Sequence, residues 1–157
     1  MSEIIQDYPF LYSSESVKAD TKIVIIKAGI KTHQELFDYI CKELNYPVSV
    51  VKNWDALADI LRDLKWLKEK KILLQHSDIP LNDPIKQSFY VSILLDTLKD
   101  ILEYNKVFIC KILCVNFPEN LKKKVIERIN TYYIWREADL NNPNEFVIDR
   151  PPANPKN

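Results

Sequence analysis

Three short apolar runs constrain the fold of this chain more than any other feature of its sequence. They lie at residues 22–27, 72–76 and 107–115, and stretches with helical periodicity separate them. Nearly continuous apolar runs of this length are typical of buried strands, often in a parallel sheet. Strands that alternate with helices predict an α/β fold with right-handed crossovers. We therefore expect a small three-stranded parallel sheet with packed helices.

The helices between these runs are marked by their capping residues. Thr32-His-Gln-Glu35 is a capping box, in which the threonine oxygen accepts from an early amide and the glutamate reaches back. Asn45-Tyr-Pro47 ends this first helix, because a residue that precedes proline avoids helical geometry. A second helix is predicted at residues 54–64 and a third at about 86–104.

The second helix carries Asp55, Asp59 and Asp63 at four-residue spacing. Four residues make about one turn, so the three carboxylates line one face. Asn53 is a good N-cap for this helix. Apolar residues fall on the opposite face: Trp54, Leu57, Leu61 and Leu64. Arg62, three residues after Asp59, is placed to neutralise part of the negative charge of these three aspartates, which we call the acidic stripe. Taken alone, the pattern is typical of any solvated helix.

The sequence on either side of the central α/β segment predicts an N-terminal arm and a C-terminal extension. In the N-terminal arm, residues 8–12 are compatible with an edge strand or a packed arm. A fourth helix is predicted at about 119–136, and its apolar stripe should pack on the sheet or the third helix. The predicted parts are an arm (1–21), an α/β domain (22–115), a C-terminal helical extension (116–139) and an extended tail (140–157).

Composition excludes several classes of function. A single glycine, Gly29, is present, so neither of the glycine-rich phosphate-binding motifs can be formed. Lysines and arginines together equal aspartates and glutamates, and the formal net charge is zero. A general nucleic-acid or membrane-surface binder would need a basic excess. We expect no direct nucleic-acid contact and no membrane association.

The cysteines and the N-terminus favour a cytoplasmic protein. Three cysteines, Cys41, Cys110 and Cys114, make no disulfide framework. The N-terminus lacks the basic start and the apolar core of a secretion signal. The apolar runs are too short and too interrupted to span a bilayer.

Residues for catalysis are sparse. His33, which we expect to be solvent-exposed, and His76 are the two histidines, and neither has a neighbour that makes a metal-binding pair. Cys110 and Cys114 are four residues apart and are expected to fill core space. A cysteine–histidine pair that meets in space stays an alternative. We predict no enzyme activity, no cofactor and no metal.

The acidic helix and its surroundings resemble the barstar family, intracellular inhibitors of the ribonuclease barnase. Asn53-Trp-Asp-Ala-Leu-Ala-Asp59 is similar to the family's N-x-D-A-L-x-D signature. The segments 23–26, 29–36 and 42–47 precede it in the family's order. The resemblance covers about residues 22–115 and implies a three-stranded parallel sheet with packed helices.

The resemblance also implies a mode of binding. Family members push the acidic helix and the preceding loop into the nuclease active site, where a carboxylate replaces the substrate phosphate. By position, Asp59 would be that central carboxylate, Asp55 the acid one turn earlier, and Asn53 the cap and loop-edge contact. Asp100 is a looser counterpart of a further acid, and Asp63 extends the stripe. The candidate partner-binding residues are thus Asn53, Asp55, Asp59, Asp63 and Asp100.

Two differences from the family's pattern concern aromatic side chains. Ser49-Val50-Val51 stands where the family has two aromatics and a glycine, and Ala58 stands where it has a tryptophan. Aromatic anchors usually dominate interface energy. We therefore expect barnase itself not to be a tight partner.

Two hypotheses on function follow. The first is a bacterial inhibitor or immunity protein that blocks a cognate nuclease toxin, with the free chain a monomer. Steering by clustered acids would give the fast association that such an inhibitor needs. The alternative is a barstar-fold module that binds a protein other than a nuclease, its acidic stripe merely solvated.

Overall fold

The computed structural model describes residues 10–11, 20–47, 53–104 and 111–141. The strands are β1 (Phe10–Leu11), β2 (Thr21–Ile26), β3 (Lys71–His76) and β4 (Ile112–Asn116). The helices are α1 (His33–Glu43), α2 (Trp54–Asp63), α3 (Pro84–Tyr104) and α4 (Lys122–Asn141), and a 3-10 turn at Glu119–Leu121 leads into α4.

The sheet is parallel throughout, with strand order β1-β4-β3-β2. Val24, Leu74 and Val115 lie side by side across its three longer strands. The predicted three-stranded parallel sheet is thereby confirmed. Phe10–Leu11 pairs with β4 at the edge, which is the first of the two alternatives for that region. In the third predicted strand, β4 begins at Ile112, and residues 107–110 lie outside the described residues.

One face of the sheet forms the core with the helices. Alternate residues of the strands are fully or almost fully buried there: Val24, Ile26, Ile72, Leu74, Leu113 and Val115. Successive side chains of a strand point to opposite faces of the sheet, so every second residue faces the core. The apolar faces of α1, α2 and α3 pack on this surface and exclude water from it.

The predicted capping box starts α1. The Thr32 hydroxyl accepts from the Glu35 amide at 3.2 Å, and the Glu35 carboxylate accepts from the Lys31 amide at 3.3 Å. The first bond satisfies an amide of the first turn, and the second ties the helix to Lys31, the residue before the N-cap, rather than to Thr32 itself. The helix ends at Glu43, followed by Asn45 in the left-handed region with a φ of 53°. This position tolerates asparagine better than most side chains.

The basic connection between α2 and β3 is held in place by hydrogen bonds to other parts of the chain. The Trp66 indole donates to the Leu44 carbonyl at 2.7 Å and thereby ties the connection to the end of α1. The Lys111 ammonium donates to the carbonyls of Leu67 and Glu69, the second at 2.6 Å. The end of α2 is therefore fixed relative to both α1 and the sheet.

The fourth helix packs on α3 as predicted. Val125 and Ile129 are completely buried in the common core, and Leu121 and Tyr132 pack against it. The Arg128 guanidinium donates to the Gln87 side chain of α3 at 2.8 Å. The helix runs from Lys122 to Asn141 rather than from 119 to 136, since its first predicted turn is the 3-10 turn. The division of the chain into four parts stays a prediction.

Candidate partner-binding site: the acidic face

Asn53 starts α2 as its N-cap. Its side-chain oxygen accepts from the Ala56 amide at 2.8 Å, and its backbone carbonyl accepts from the Leu57 amide at 3.1 Å. The predicted capping role is thus observed. The residue is fully buried, and its amide nitrogen finds no hydrogen-bond partner within the described parts of the chain. Direct contact with a partner would require the chain around Asn53 to move, so that role stays a prediction.

The two faces of α2 differ in burial as the sequence predicts. Asp55, Asp59 and Asp63 are exposed. The opposite face is buried in the core through Trp54, Leu57, Ile60 and Leu61. Ala58, which stands where the family has a tryptophan, is also buried. The helix therefore presents carboxylates, without an aromatic anchor at that position.

Asp100 of α3 joins the carboxylates of α2 through Arg62. The Arg62 guanidinium donates from Nε and Nη2 to one Asp100 oxygen, at 2.9 and 2.7 Å. Its Nη1 lies 3.7 Å from an Asp59 oxygen, which is an ion contact longer than a hydrogen bond. The structure thus places Asp55, Asp59, Asp63 and Asp100 on one surface, the acidic face, with Arg62 among them. The sequence identified the contact with Asp59 but not the bond to Asp100.

Asp96 lies one turn before Asp100 on α3 and places a further carboxyl group in this region. Burial of its carboxyl raises its pKa, and Asp100 adds to this effect. The positive charges of Lys99, Arg136 and Arg62 oppose it. Asp96 is therefore a further acid near the acidic face, and one that holds its proton more readily than an ordinary aspartate.

His33 is half buried, and the prediction that it is solvent-exposed is wrong. Its ring lies 5.8 Å from that of Phe37 and 6.3 Å from that of Trp54, measured between centroids. Burial lowers its pKa, and the charge of Lys86 lowers it further. The position of His33 one turn before the buried Phe37 is a signal of this burial within α1, whereas the contact with Trp54, from another helix, could not be inferred from spacing.

His76 is a buried core histidine. Because the Asn116 carbonyl can only accept, Nδ1 donates to it at 3.1 Å, and Nε2 accepts from the Tyr90 hydroxyl at 2.6 Å. The ring also stacks on Phe117 at 4.2 Å between centroids. Burial lowers the pKa of His76 to about 4. Both ring nitrogens are engaged within the core, which leaves neither one turned toward a substrate.

The structure places one of the two cysteines of the third predicted strand. Cys114 is half buried in β4 rather than fully packed, and Cys110 lies outside the described residues. Across residues 10–11, 20–47, 53–104 and 111–141, no cluster of three or more histidine, cysteine or acidic side chains could hold a metal ion. Among the helices described, none has the length and apolarity needed to cross a bilayer.

The fold and the acidic face define a class of protein: an α/β domain with a capped, carboxylate-bearing helix packed against its sheet. A family model described as Barstar (barnase inhibitor) matches residues 21–112, more than half of the chain. The chain therefore belongs to the barstar family. No curated protein and no solved structure matches it. The matched region ends at the first residue of β4, so α4 lies beyond it.

Proposed function

We propose that this chain is an inhibitor of a cognate nuclease, a ribonuclease toxin, and that its acidic face blocks the active site. The chain acts inside the bacterial cell that makes the toxin, as an immunity protein. Membership of a family of barnase inhibitors supports this proposal. The observation that carries it is the Asp59 side chain, which is 82% exposed on a helix whose opposite face is buried in the core.

The chemistry of a ribonuclease site suits such a group. The site is a cationic cleft that holds a phosphate, and a carboxylate can accept paired hydrogen bonds from an arginine in the same place. The Asn53 cap and the buried apolar face fix α2, so the backbone that carries the carboxylate loses little freedom on binding. Asp55 and Asp63 extend the negative surface and accelerate encounter with a cationic target.

The test is a titration of the purified chain into ribonuclease assays with two enzymes. One is barnase, and the other is a nuclease toxin encoded beside the gene for this chain. We expect stoichiometric loss of activity of the cognate toxin and weak inhibition of barnase, because the aromatic anchor at position 58 is replaced by a buried alanine. Full activity of both nucleases at micromolar excess of the chain would contradict the proposal.

The same absence of an aromatic anchor supports the alternative of a binding module for a protein other than a nuclease. The two functions differ in one measurable respect. An inhibitor abolishes the activity of the nuclease that it binds, whereas a module of the alternative kind leaves every tested nuclease active and binds another protein through a different part of its surface.

A further inference from the structure

We propose that Arg62 is a specificity-determining residue of the acidic face. Its positive charge restricts binding to targets that place no cation opposite Arg62. This inference rests on the proposed function, because it concerns the surface that would meet the nuclease. It starts from the two hydrogen bonds that the guanidinium donates to one oxygen of Asp100.

The two carboxylates near Arg62 are engaged to different degrees. The Asp100 side chain is 49% exposed and accepts two charge-assisted hydrogen bonds, which are the stronger kind. The Asp59 side chain is 82% exposed and meets the guanidinium only at 3.7 Å. Arg62 therefore engages one oxygen of Asp100 and leaves Asp59 the more accessible of the two carboxylates.

Arg62 is itself presented at the surface, since its side chain is 38% exposed. A guanidinium has five N–H groups, and two of them serve Asp100. The face thus holds a fixed positive charge beside its central carboxylate. A target cation that approaches Asp100 is repelled by that charge.

The pattern defines the chemistry of a suitable target. Its phosphate-binding cations should lie over Asp55 and Asp59, toward the start of α2. The group opposite Arg62 should be uncharged or acidic, so that it can accept from the free N–H groups. A target whose cations must bind both Asp100 and Asp59 is disfavoured. In this way Arg62 reduces binding of the acidic face to unrelated cationic surfaces.

The test compares Arg62→Ala with Lys99→Ala. Lys99 is also exposed and lies close to acids of α3, so its removal changes the net charge equally without freeing Asp100. The probe is a hexa-arginine peptide, whose affinity is measured by NMR titration of the full chain at low salt. We expect Arg62→Ala to bind the peptide about tenfold more tightly than the wild type, and Lys99→Ala to gain much less. Raising the salt should reduce the difference, because these charges are exposed.

Equal affinities of the two variants would overturn the inference, since they would show an effect of net charge alone. Weaker binding by Arg62→Ala would overturn it as well, because Arg62 would then help the carboxylates to bind. A urea melt of each variant establishes that both are folded. The peptide titration does not involve a nuclease. Failure of the proposed function would appear as unaffected nuclease activity in the inhibition assay, and it is therefore distinguishable from failure of this inference.

Discussion

The imidazole of His76 in β3 accepts a 2.6 Å hydrogen bond from the phenol of Tyr90 in α3. The bond requires a neutral ring, because the same ring donates its one proton to the Asn116 carbonyl. Protonation would force Nε2 to donate to the Tyr90 hydroxyl instead, and it would place a charge in the core beside Phe117. The core between β3, β4 and α3 is therefore built around an uncharged histidine.

A first prediction follows for the pH dependence of stability. The pKa of His76 is about 4 when folded, below its ordinary value of 6.5, so the unfolded chain binds a proton before the folded chain does. The His76 contribution is fully present above pH 6.5 and is lost as the pH falls to about 4, a change of about 3 kcal/mol in the free energy of unfolding. The measurement is the titration of the His76 ring protons by NMR. Titration near pH 6.5 would show that the ring is not buried as described.

A second prediction concerns α4. Ile129 is completely buried, whereas Ile134 on the same helix is 69% exposed. Ile129→Ala should reduce the free energy of unfolding by about 2–4 kcal/mol, because it leaves a cavity in the core. Ile134→Ala is the matched control and should change it by less than about 0.5 kcal/mol. Urea denaturation measures both. Equal and small effects would mean that α4 does not pack on α3 in solution.

A third prediction concerns the cap of α2. Asn53→Ala removes the acceptor for the Ala56 amide and should cost about 1 kcal/mol of stability. Asn53→Ser keeps an acceptor oxygen and removes the amide nitrogen, which has no hydrogen-bond partner among the described residues, so it should cost less. Urea melts of the two variants are compared with the wild type. A serine variant that is as unstable as the alanine variant would show that the cap bond contributes little.

The sequence predicted the features that depend on local chemistry. Thr32 and Asn53 are caps that act within three residues, and the strands were evident as apolar runs, so the parallel sheet followed from their alternation with helices. The side chains that meet across elements were not predictable in this way. Arg62 and Asp100 are 38 positions apart, and their bond depends on how α2 packs on α3. The contact of His33 with Trp54 is of the same kind, because Trp54 comes from another helix.

We propose that Asp59 binds the nuclease directly. Asp59→Ala should weaken the complex by about 2–5 kcal/mol, because the cations of the partner would stay buried and unpaired. The same change should alter the free energy of unfolding by less than about 0.5 kcal/mol, since the side chain is 82% exposed and its contact with Arg62 is long. Asp38→Ala is the control, because it removes an exposed aspartate from α1, outside the acidic face.

The most direct test is the dissociation constant of the complex with the nuclease that the wild type inhibits, measured for the wild type, Asp59→Ala and Asp38→Ala at one salt concentration. Urea melts of the three proteins accompany it. We expect at least about a thirtyfold loss of affinity for Asp59→Ala, the lower end of that free-energy range, and no loss for Asp38→Ala. Equal affinities of Asp59→Ala and the wild type would contradict a direct role for Asp59 in binding, because they would show that its carboxylate stays solvated and does not enter the nuclease site.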